Sequence, residues 1–378
     1  MNVTLTVYLC FIGAAICNMV LTSVLLALRD DGKRDANWLL ALLLIFLAAS
    51  FFTDLFIATG FYNRFPHCLG YESFFTLSLG PLLYYYIRQQ TRPDQQPRAV
   101  DSLHILWWIV YAFLLKDFFV SDDATKRALI MDVESISNYT LANNFVVAQL
   151  LLYGVACYRM LARHNRIIEE VLSTPDDKRL TWLRHLLAAA AILFAVWVII
   201  NNFTVNESLL GLTLLIFSYW VAYKALGQGL VFDKHSTEAV LPIFREEEPE
   251  QRYRNSNLTQ AAIETIGAKL TKFMEQTEPY LDPALSLTSL ASQLNVNPNH
   301  LSQVLNEGFK LNFYTFINRY RVEESKRLLV DPAFAHYSII AIAGEAGFNS
   351  KSTFNKVFRE ITGLSPSEYV KQQQQANK

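Results

Sequence analysis

The sequence predicts an all-α protein in two parts, a bundle of seven apolar helices followed by a helical domain that repeats one helix-turn-helix pattern. Three observations predict this fold class. The 378 residues are 52% hydrophobic with a mean hydropathy of +0.19, which is high for a soluble protein. Apolar runs of about 20 residues, the length that crosses a bilayer as a helix, recur through the first 226 residues. The remaining residues instead form polar segments with regularly spaced apolar positions.

The apolar runs predict a seven-transmembrane bundle. The first run could alternatively be a signal peptide, but it lacks a basic start and six further runs follow it. We therefore expect it to be a span. The seven runs cover roughly residues 5–28, 38–59, 68–87, 102–120, 140–158, 183–203 and 208–226.

The basic residues of the connecting loops predict the orientation of this bundle. If the N-terminus is outside, twelve Lys and Arg residues fall in cytoplasmic loops and four fall in external loops. An excess of basic residues marks the cytoplasmic side of a membrane protein. Seven spans from an outside start also leave the C-terminus in the cytoplasm, so the loop charges and the location required by the C-terminal domain agree.

Composition predicts three parts in the chain. Residues 1–226 form the membrane domain, and residues 227–257 form a linker because they carry charges and prolines without apolar periodicity. Residues 258–378 form the C-terminal domain. It opens with an amphipathic helix carrying Ile263, Ile266, Leu270 and Phe273, which is expected to pack either on the first helix-turn-helix or on a second subunit.

The segment GFNSKSTFNKVFREITGLSPSEYV predicts a helix-turn-helix near the C-terminus. Gly347 suits the positive φ of a tight turn, and Asn349 is a candidate N-cap for the next helix. In that helix Phe354, Val357 and Phe358 are spaced to bury one face, which leaves a polar and cationic face outside.

The segment LASQLNVNPNHLSQVLNEGFKLNFYTFI repeats this pattern upstream. Leu290 corresponds to Ile342 and, after a one-residue step, Leu301 corresponds to Phe354. Between the copies, residues 312–330 form an amphipathic helix of roughly 28 Å. Such a helix would separate two reading helices by about one DNA turn, roughly 34 Å.

At these residues the chain resembles the AraC/XylS family of transcriptional regulators. That family has two helix-turn-helix motifs joined by a long helix, and the resemblance covers about the last 110 residues. It implies sequence-specific binding of double-stranded DNA, with RNA polymerase and a second copy of the chain as further partners. The sequence departs from the family at Lys310, where the second copy has Gly363, so the first exit turn is expected to be strained or differently built.

The resemblance also implies which side chains contact DNA. Amides and amines can bond base edges in the major groove, whereas contacts to phosphate position the protein without specifying sequence. The expected base-contacting residues are Asn299, Ser302, Gln303, Lys351, Ser352, Asn355 and Lys356. The expected phosphate contacts are Asn306, Arg321 and Arg359.

A candidate signal site lies at membrane depth in the outer half of the bundle. Asp54 and Glu72 are charged positions within predicted spans, with Asn143 and Asn144 nearby in depth. Ionisable groups inside a membrane are costly, so they are usually functional or paired. Two carboxylates facing one cavity would favour the binding of protons, a cation or an amine. The alternative is that each carboxylate pairs with its own neighbour, such as Asn143 or Lys116, and only holds helices together.

The sequence contains no HExxH, GxSxG, CxxC or phosphate-binding glycine loop, so no enzyme, cofactor or metal site is predicted. The predicted function is a membrane-embedded one-component transcription regulator that senses a signal in the bundle and binds operator DNA. Its expected place is the bacterial inner membrane, in contact with lipid. The alternative is a membrane transporter or enzyme with a regulatory C-terminal domain.

Overall fold

The computed structural model describes residues 3–29, 34–91, 99–129, 136–174, 180–203, 208–227 and 258–376. It divides into two compact units. The first comprises Met1–Arg163 and Leu180–Leu230, and the second comprises His164–Arg179 and Val231–Lys378. The second unit therefore includes a short segment, His164–Arg179, that divides the first unit in sequence. The predicted linker lies outside the described residues apart from Gly227.

The first unit is helical throughout its described residues. Helix α1 packs against α2 and α9, α2 packs against α3, and α8 packs against α9. Helix α7 ends beyond the first unit, inside the segment that belongs to the second. The helices are α1 (Val3–Leu28), α2 (Arg34–Ala58), α3 (Glu72–Thr91), α4 (Leu106–Leu114), α5 (Lys116–Val120), α6 (Asp123–Leu129), α7 (Tyr139–Val171), α8 (Thr181–Asn202) and α9 (Ser208–Leu226).

Five described helices are long and apolar enough to span a membrane, namely α1, α2, α7, α8 and α9. The predicted count of seven is not confirmed. The third predicted span forms α3, but Glu72, Arg88 and a run of tyrosines lower its hydropathy. The fourth is interrupted at Leu115, where ψ is 22° and the helix breaks into α4 and α5.

The second unit is also helical in its described part. Its helices begin at residues suited to capping, including Thr259, Ser286 and Asn312, whose side chains accept backbone N–H groups of the first turn. They are α10 (Gln260–Thr277), α11 (Leu287–Leu294), α12 (Pro298–Gln303), α13 (Phe313–Val330), α14 (Ile339–Glu345), α15 (Lys351–Thr362) and α16 (Pro366–Ala376).

Two apolar cores form around α13, one for each helix-turn-helix. Phe313, Phe316 and Ile317 enter the first core, together with residues of α11 and α12. Val322 and Leu328 enter the second core, together with residues of α14 and α15. Helix α13 is therefore the shared helix predicted between the two copies.

Helix α10 packs on the first helix-turn-helix, which decides between the two placements left open by the sequence. Leu270 and Met274 are fully buried in the first core. Gly267 lies close to the Phe309 ring, since a Cβ at that position would be 3.5 Å from the ring edge. The described apolar face of α10 is thus occupied within one chain.

Candidate functional site

The turn of the second motif is built around Gly347. Its φ is +87°, and a Cβ there would collide with the Tyr280 carbonyl oxygen. Only glycine combines this conformation with so close an approach. The corresponding residue of the first motif is Asn295, with φ 50°, and asparagine tolerates the left-handed region better than most residues. Both copies therefore turn through the same backbone conformation.

The second reading helix, α15, is capped by Ser350 and not by Asn349 as predicted. The Ser350 hydroxyl accepts the Thr353 N–H at 3.2 Å. The helix therefore begins one residue later than expected from the sequence. This shift leaves the apolar spacing intact, and Phe354, Val357 and Phe358 are all buried.

The polar face of α15 is presented to solvent. Lys351, Ser352 and Lys356 are exposed, and Asn355 is half-buried. Arg359 is exposed at the C-terminal end of the same face. The Lys356 amine lies 3.9 Å from Glu360, and both side chains are more than half exposed, so this pair is weak and easily exchanged for another acceptor.

The first reading helix is built differently. Helix α12 is capped by Asn297, whose side chain accepts the Asn299 N–H at 2.8 Å. It then widens into a π-helical turn over Val304–Gly308, with the Phe309 N–H bonded to the Val304 carbonyl at 3.2 Å. A π turn accommodates an additional residue in a helix.

Two residues of the first motif that were expected to contact bases are buried in this structure. Ser302 is 3% exposed and Gln303 is 5% exposed. Gln303 donates to Glu307 at 3.0 Å, and Asn306 donates to Ser302 at 3.4 Å. Asn299 and Asn306 are half-buried. A base edge cannot reach Ser302 or Gln303 in this structure. The polar side chains of the two reading helices therefore differ in their exposure to solvent, although the backbones of the two motifs correspond.

Lys310 adopts the conformation of the glycine that it replaces. Its φ is 56°, and φ of Gly363 at the matching position is 77°. The Leu311 N–H closes the turn on the Leu305 carbonyl at 3.0 Å. Both turns therefore pass through left-handed backbone, although their hydrogen bonds differ, since the Leu364 N–H of the second copy donates to the Thr362 hydroxyl. A residue with a Cβ carries a cost of roughly 1–2 kcal/mol in this region.

Arg321 is buried, which contradicts its predicted phosphate contact. The residue is 0% exposed, and its guanidinium donates to the carbonyl oxygens of Tyr280 at 2.7 Å and Asp282 at 2.8 Å. It also donates to the Ser173 carbonyl at 3.1 Å and the Ser173 hydroxyl at 3.0 Å. Burial lowers the pKa of Arg321 to about 10, so it remains charged at neutral pH.

The helical spacing of the sequence could have predicted that Arg321 is buried. Arg321 lies four residues after Ile317 and seven before Leu328, on the stripe of α13 that faces inward. The prediction was wrong because it treated Arg321 as a surface residue on account of its charge, although its position on the helix faces the interior.

The first unit contains a cavity of about 810 Å³ lined by Asp54, Glu72 and Asn143. The Tyr8 hydroxyl donates to Asp54 at 2.8 Å. Glu72 Oε2 is buried and has no hydrogen-bond partner among the described residues. Asn144 is exposed and does not line the cavity. Lys116, considered as a private partner, instead lies over the Phe113 ring at 5.5 Å.

Comparison with known proteins finds similarity in the C-terminal part of the chain. A helix-turn-helix domain model matches residues 290–372. The regulatory protein PocR of Salmonella typhimurium is 29% identical over 28% of this chain and 34% of its own length. The melibiose operon regulatory protein of Escherichia coli K12 is 26% identical over 39% of this chain and 59% of its own length. An uncharacterized HTH-type transcriptional regulator of Staphylococcus aureus is 28% identical over 27% of this chain and 13% of its own length.

The two capped motifs on one shared helix define a tandem helix-turn-helix domain, a class of DNA-binding fold. The C-terminal domain of this chain is similar to AraC-type regulators, and apolar helices of membrane-spanning length precede it. The chain spans about a third to three fifths of the lengths of PocR and the melibiose operon protein. No solved structure matches the chain.

Proposed function

We propose that this protein is a membrane-embedded one-component transcription regulator of the AraC type. The observation that carries the proposal is the presence, in one chain, of five described helices long and apolar enough to span a membrane and of a tandem helix-turn-helix domain. The N-terminus lies outside the bacterial inner membrane, and the C-terminal domain binds operator DNA in the cytoplasm, where RNA polymerase and a second copy of the chain are its further partners.

The exposed faces of the candidate spans support membrane embedding. Only 17% of the most apolar window of α8 and 28% of that of α7 are buried. Large apolar side chains on these helices are exposed, including Leu152 at 59% and Ile192 at 61%. Contiguous apolar surface of this extent is stable against lipid hydrocarbon and not against water.

A reporter fused after Lys378 tests the proposed topology. We expect a fluorescent protein that matures only in the cytoplasm to be active in this fusion, and alkaline phosphatase, which folds only outside, to be inactive. The reason is the threefold excess of Lys and Arg in the loops assigned to the cytoplasm. Fusions after Ser121, in a loop assigned to the outside, provide the reciprocal control. Phosphatase activity at Lys378 would overturn both the orientation and the DNA-binding role.

We further propose that the signal enters through the cavity that holds Asp54 and Glu72. Asp54 has a hydroxyl donor in Tyr8, whereas Glu72 Oε2 has none among the described residues. A buried carboxylate oxygen without a donor favours a proton or a cationic group, because an unpaired charge in this environment is costly. The ligand class that fits two acidic groups in a mostly apolar cavity is an amine or another small cation.

Neutral substitutions test this site without changing side-chain size. In cells carrying a target-promoter reporter, we expect Asp54→Asn and Glu72→Gln to leave membrane abundance unchanged and to fix the promoter in one state regardless of stimulus. Asp117→Asn is the matched control, since Asp117 is exposed and does not line the cavity. If both cavity variants respond like the unmodified protein, the carboxylates only hold helices together.

A further inference from the structure

A short segment after α7 is integrated into the DNA-binding unit. Leu172 forms an antiparallel bridge with Ser286, the N-cap of α11. Ser173 donates its N–H and its hydroxyl to the Leu285 carbonyl at 3.3 and 2.6 Å. The Thr174 hydroxyl donates to the Pro283 carbonyl at 3.0 Å. Leu172–Thr174, here called the docking segment, thus lies along the loop that enters the first helix-turn-helix.

The docking segment also supplies hydrogen-bond acceptors to the buried guanidinium of Arg321. Ser173 supplies two of the four oxygens that receive hydrogen bonds from Arg321, and Ser173 itself is 1% exposed. All four oxygens belong to neutral groups. If the segment leaves, two donors of a charged guanidinium lose their acceptors and must be hydrated, so the docked and undocked arrangements are distinct states and not a continuum.

Arg321 lies at the junction of the two reading motifs. Its guanidinium contacts Tyr280 at the entry to the first motif and lies 5.9 Å from the Phe348 ring in the turn of the second. Asn318 and Ser325, on the same helix, are also buried, so a polar stripe separates the two apolar cores. A group that enters this stripe touches both motifs at once.

The chain connects the docking segment to two candidate spans. Ser173 follows α7 and precedes α8. At its N-terminal side Ile167, Ile168 and Val171 form a small buried apolar cluster against which Leu172 packs. Any axial or rotational movement of either helix therefore reaches Ser173 through a few covalently linked residues, without passing through the predicted linker.

We propose that the docking segment is a regulatory contact that holds the DNA-binding domain in a low-affinity form, and that the signal acts by withdrawing Ser173 from Arg321. This inference rests on the proposed function. We assign this direction because the segment is docked in the same structure in which Ser302 and Gln303 are buried. Release changes the junction between the motifs and gives the first reading helix access to bases.

A disulfide that locks the docked state tests the proposal. Paired residues of an antiparallel bridge have Cα atoms about 4.5–5.5 Å apart, which suits a disulfide. Leu172→Cys with Ser286→Cys is introduced into the full chain after replacement of Cys10, Cys17, Cys68 and Cys157. The control pair is Leu172→Cys with Ser338→Cys, because Ser338 is the corresponding N-cap of the second motif. The DNA probe is the fragment most enriched by immunoprecipitation of the unmodified full-length protein.

We expect the Leu172–Ser286 pair to cross-link in membranes, the control pair not to, and the oxidised protein to bind the probe at least tenfold more weakly than the same protein after dithiothreitol. Absence of the cross-link, or equal affinity before and after reduction, overturns the docking proposal. If the unmodified protein enriches no DNA, the proposed function itself fails, whatever the cross-linking shows.

A hydroxyl deletion provides a test in the opposite direction. Ser173→Ala removes the hydroxyl that accepts from Arg321 and leaves the main-chain carbonyl, which also accepts from Arg321, in place. We expect it to raise promoter occupancy without stimulus at least threefold, whereas Thr265→Ala, an exposed hydroxyl deletion on α10, leaves occupancy unchanged. Equal behaviour of the two variants would show that Ser173 only fills space.

Discussion

Lys356→Ala is expected to weaken binding to the specific operator by about 1–3 kcal/mol and to relax preference at one base pair. The side chain is exposed on the polar face of α15, and its only ionic neighbour among the described residues is the distant, exposed Glu360. Gln303→Ala should show a loss of the same kind, because an amide can form two hydrogen bonds to adenine once the first motif is accessible. Equilibrium titrations with the operator and with single-base variants measure both effects.

Arg359→Ala provides the contrast, since a phosphate contact carries no sequence information. We expect it to weaken specific and random DNA alike and to reduce the dependence of affinity on salt. Lys272→Ala, an exposed charge deletion on α10, should change neither. Equal losses from Lys356→Ala, Gln303→Ala and Arg359→Ala on operator and random DNA would contradict the division into base and phosphate contacts.

Gly347→Ala is expected to destabilise the DNA-binding domain by roughly 2–5 kcal/mol. A left-handed residue with a Cβ costs roughly 1–2 kcal/mol, and overpacking a buried site costs typically about 1–3 kcal/mol more. The added methyl group would meet the Tyr280 carbonyl, the Leu281 backbone and Arg321. Hydrogen exchange of the α15 amides in the full-length protein measures this change in free energy of opening.

Two matched variants separate the contributions of backbone and packing. Gly363 has a similar φ of +77°, but a methyl group there would have no described heavy atom within 4 Å, so Gly363→Ala should show only the backbone cost. Lys310→Gly, at the matching position of the first motif, should stabilise the domain by about 0.5–1 kcal/mol, since relief of strain exceeds the added freedom of the unfolded chain. If Gly347→Ala costs no more than Gly363→Ala, the close approach to Tyr280 is unimportant.

The C-terminal fold was predictable because the spacing of apolar residues in each helix indicates which face is buried. Phe354, Val357 and Phe358 are buried as their period indicates, and α13 covers the predicted linking helix to within one residue. The cap of α15 was displaced by one residue because Asn349 and Ser350 are both good caps, and only the geometry of the turn selects between them. Boundaries of this kind are decided by tertiary contacts.

The N-terminal part was less fully predictable. Hydropathy identified the five helices that meet the requirements for a span, but it also joined two short helices across Leu115. The break there depends on local backbone geometry that apolar composition does not record. Whether α3 crosses a bilayer depends on how Glu72 and Arg88 are paired, and Arg88 does form a 2.8 Å ion pair with Asp101.

Some of the candidate DNA contacts were also predictable from local pattern, and others were not. Exposure of Lys351 and Lys356 follows from the amphipathic pattern of α15. Burial of Ser302 and Gln303 does not follow from any pattern in α12, because neighbouring parts of the fold decide it. The role of Arg321 depends on Ser173, which is 148 residues away in sequence. No local reasoning connects such a pair.

The unequal exposure of the two reading helices predicts that they engage an operator one after the other. DNA that meets the domain in this arrangement finds Lys351 and Lys356 accessible and Ser302 covered. We expect the second motif to make the first sequence-dependent contacts and the tethered first motif then to sample the adjacent turn of the duplex at a high effective concentration. Sites that match only one motif are released before the other engages. Discrimination between operators then depends on residence time as well as on equilibrium affinity.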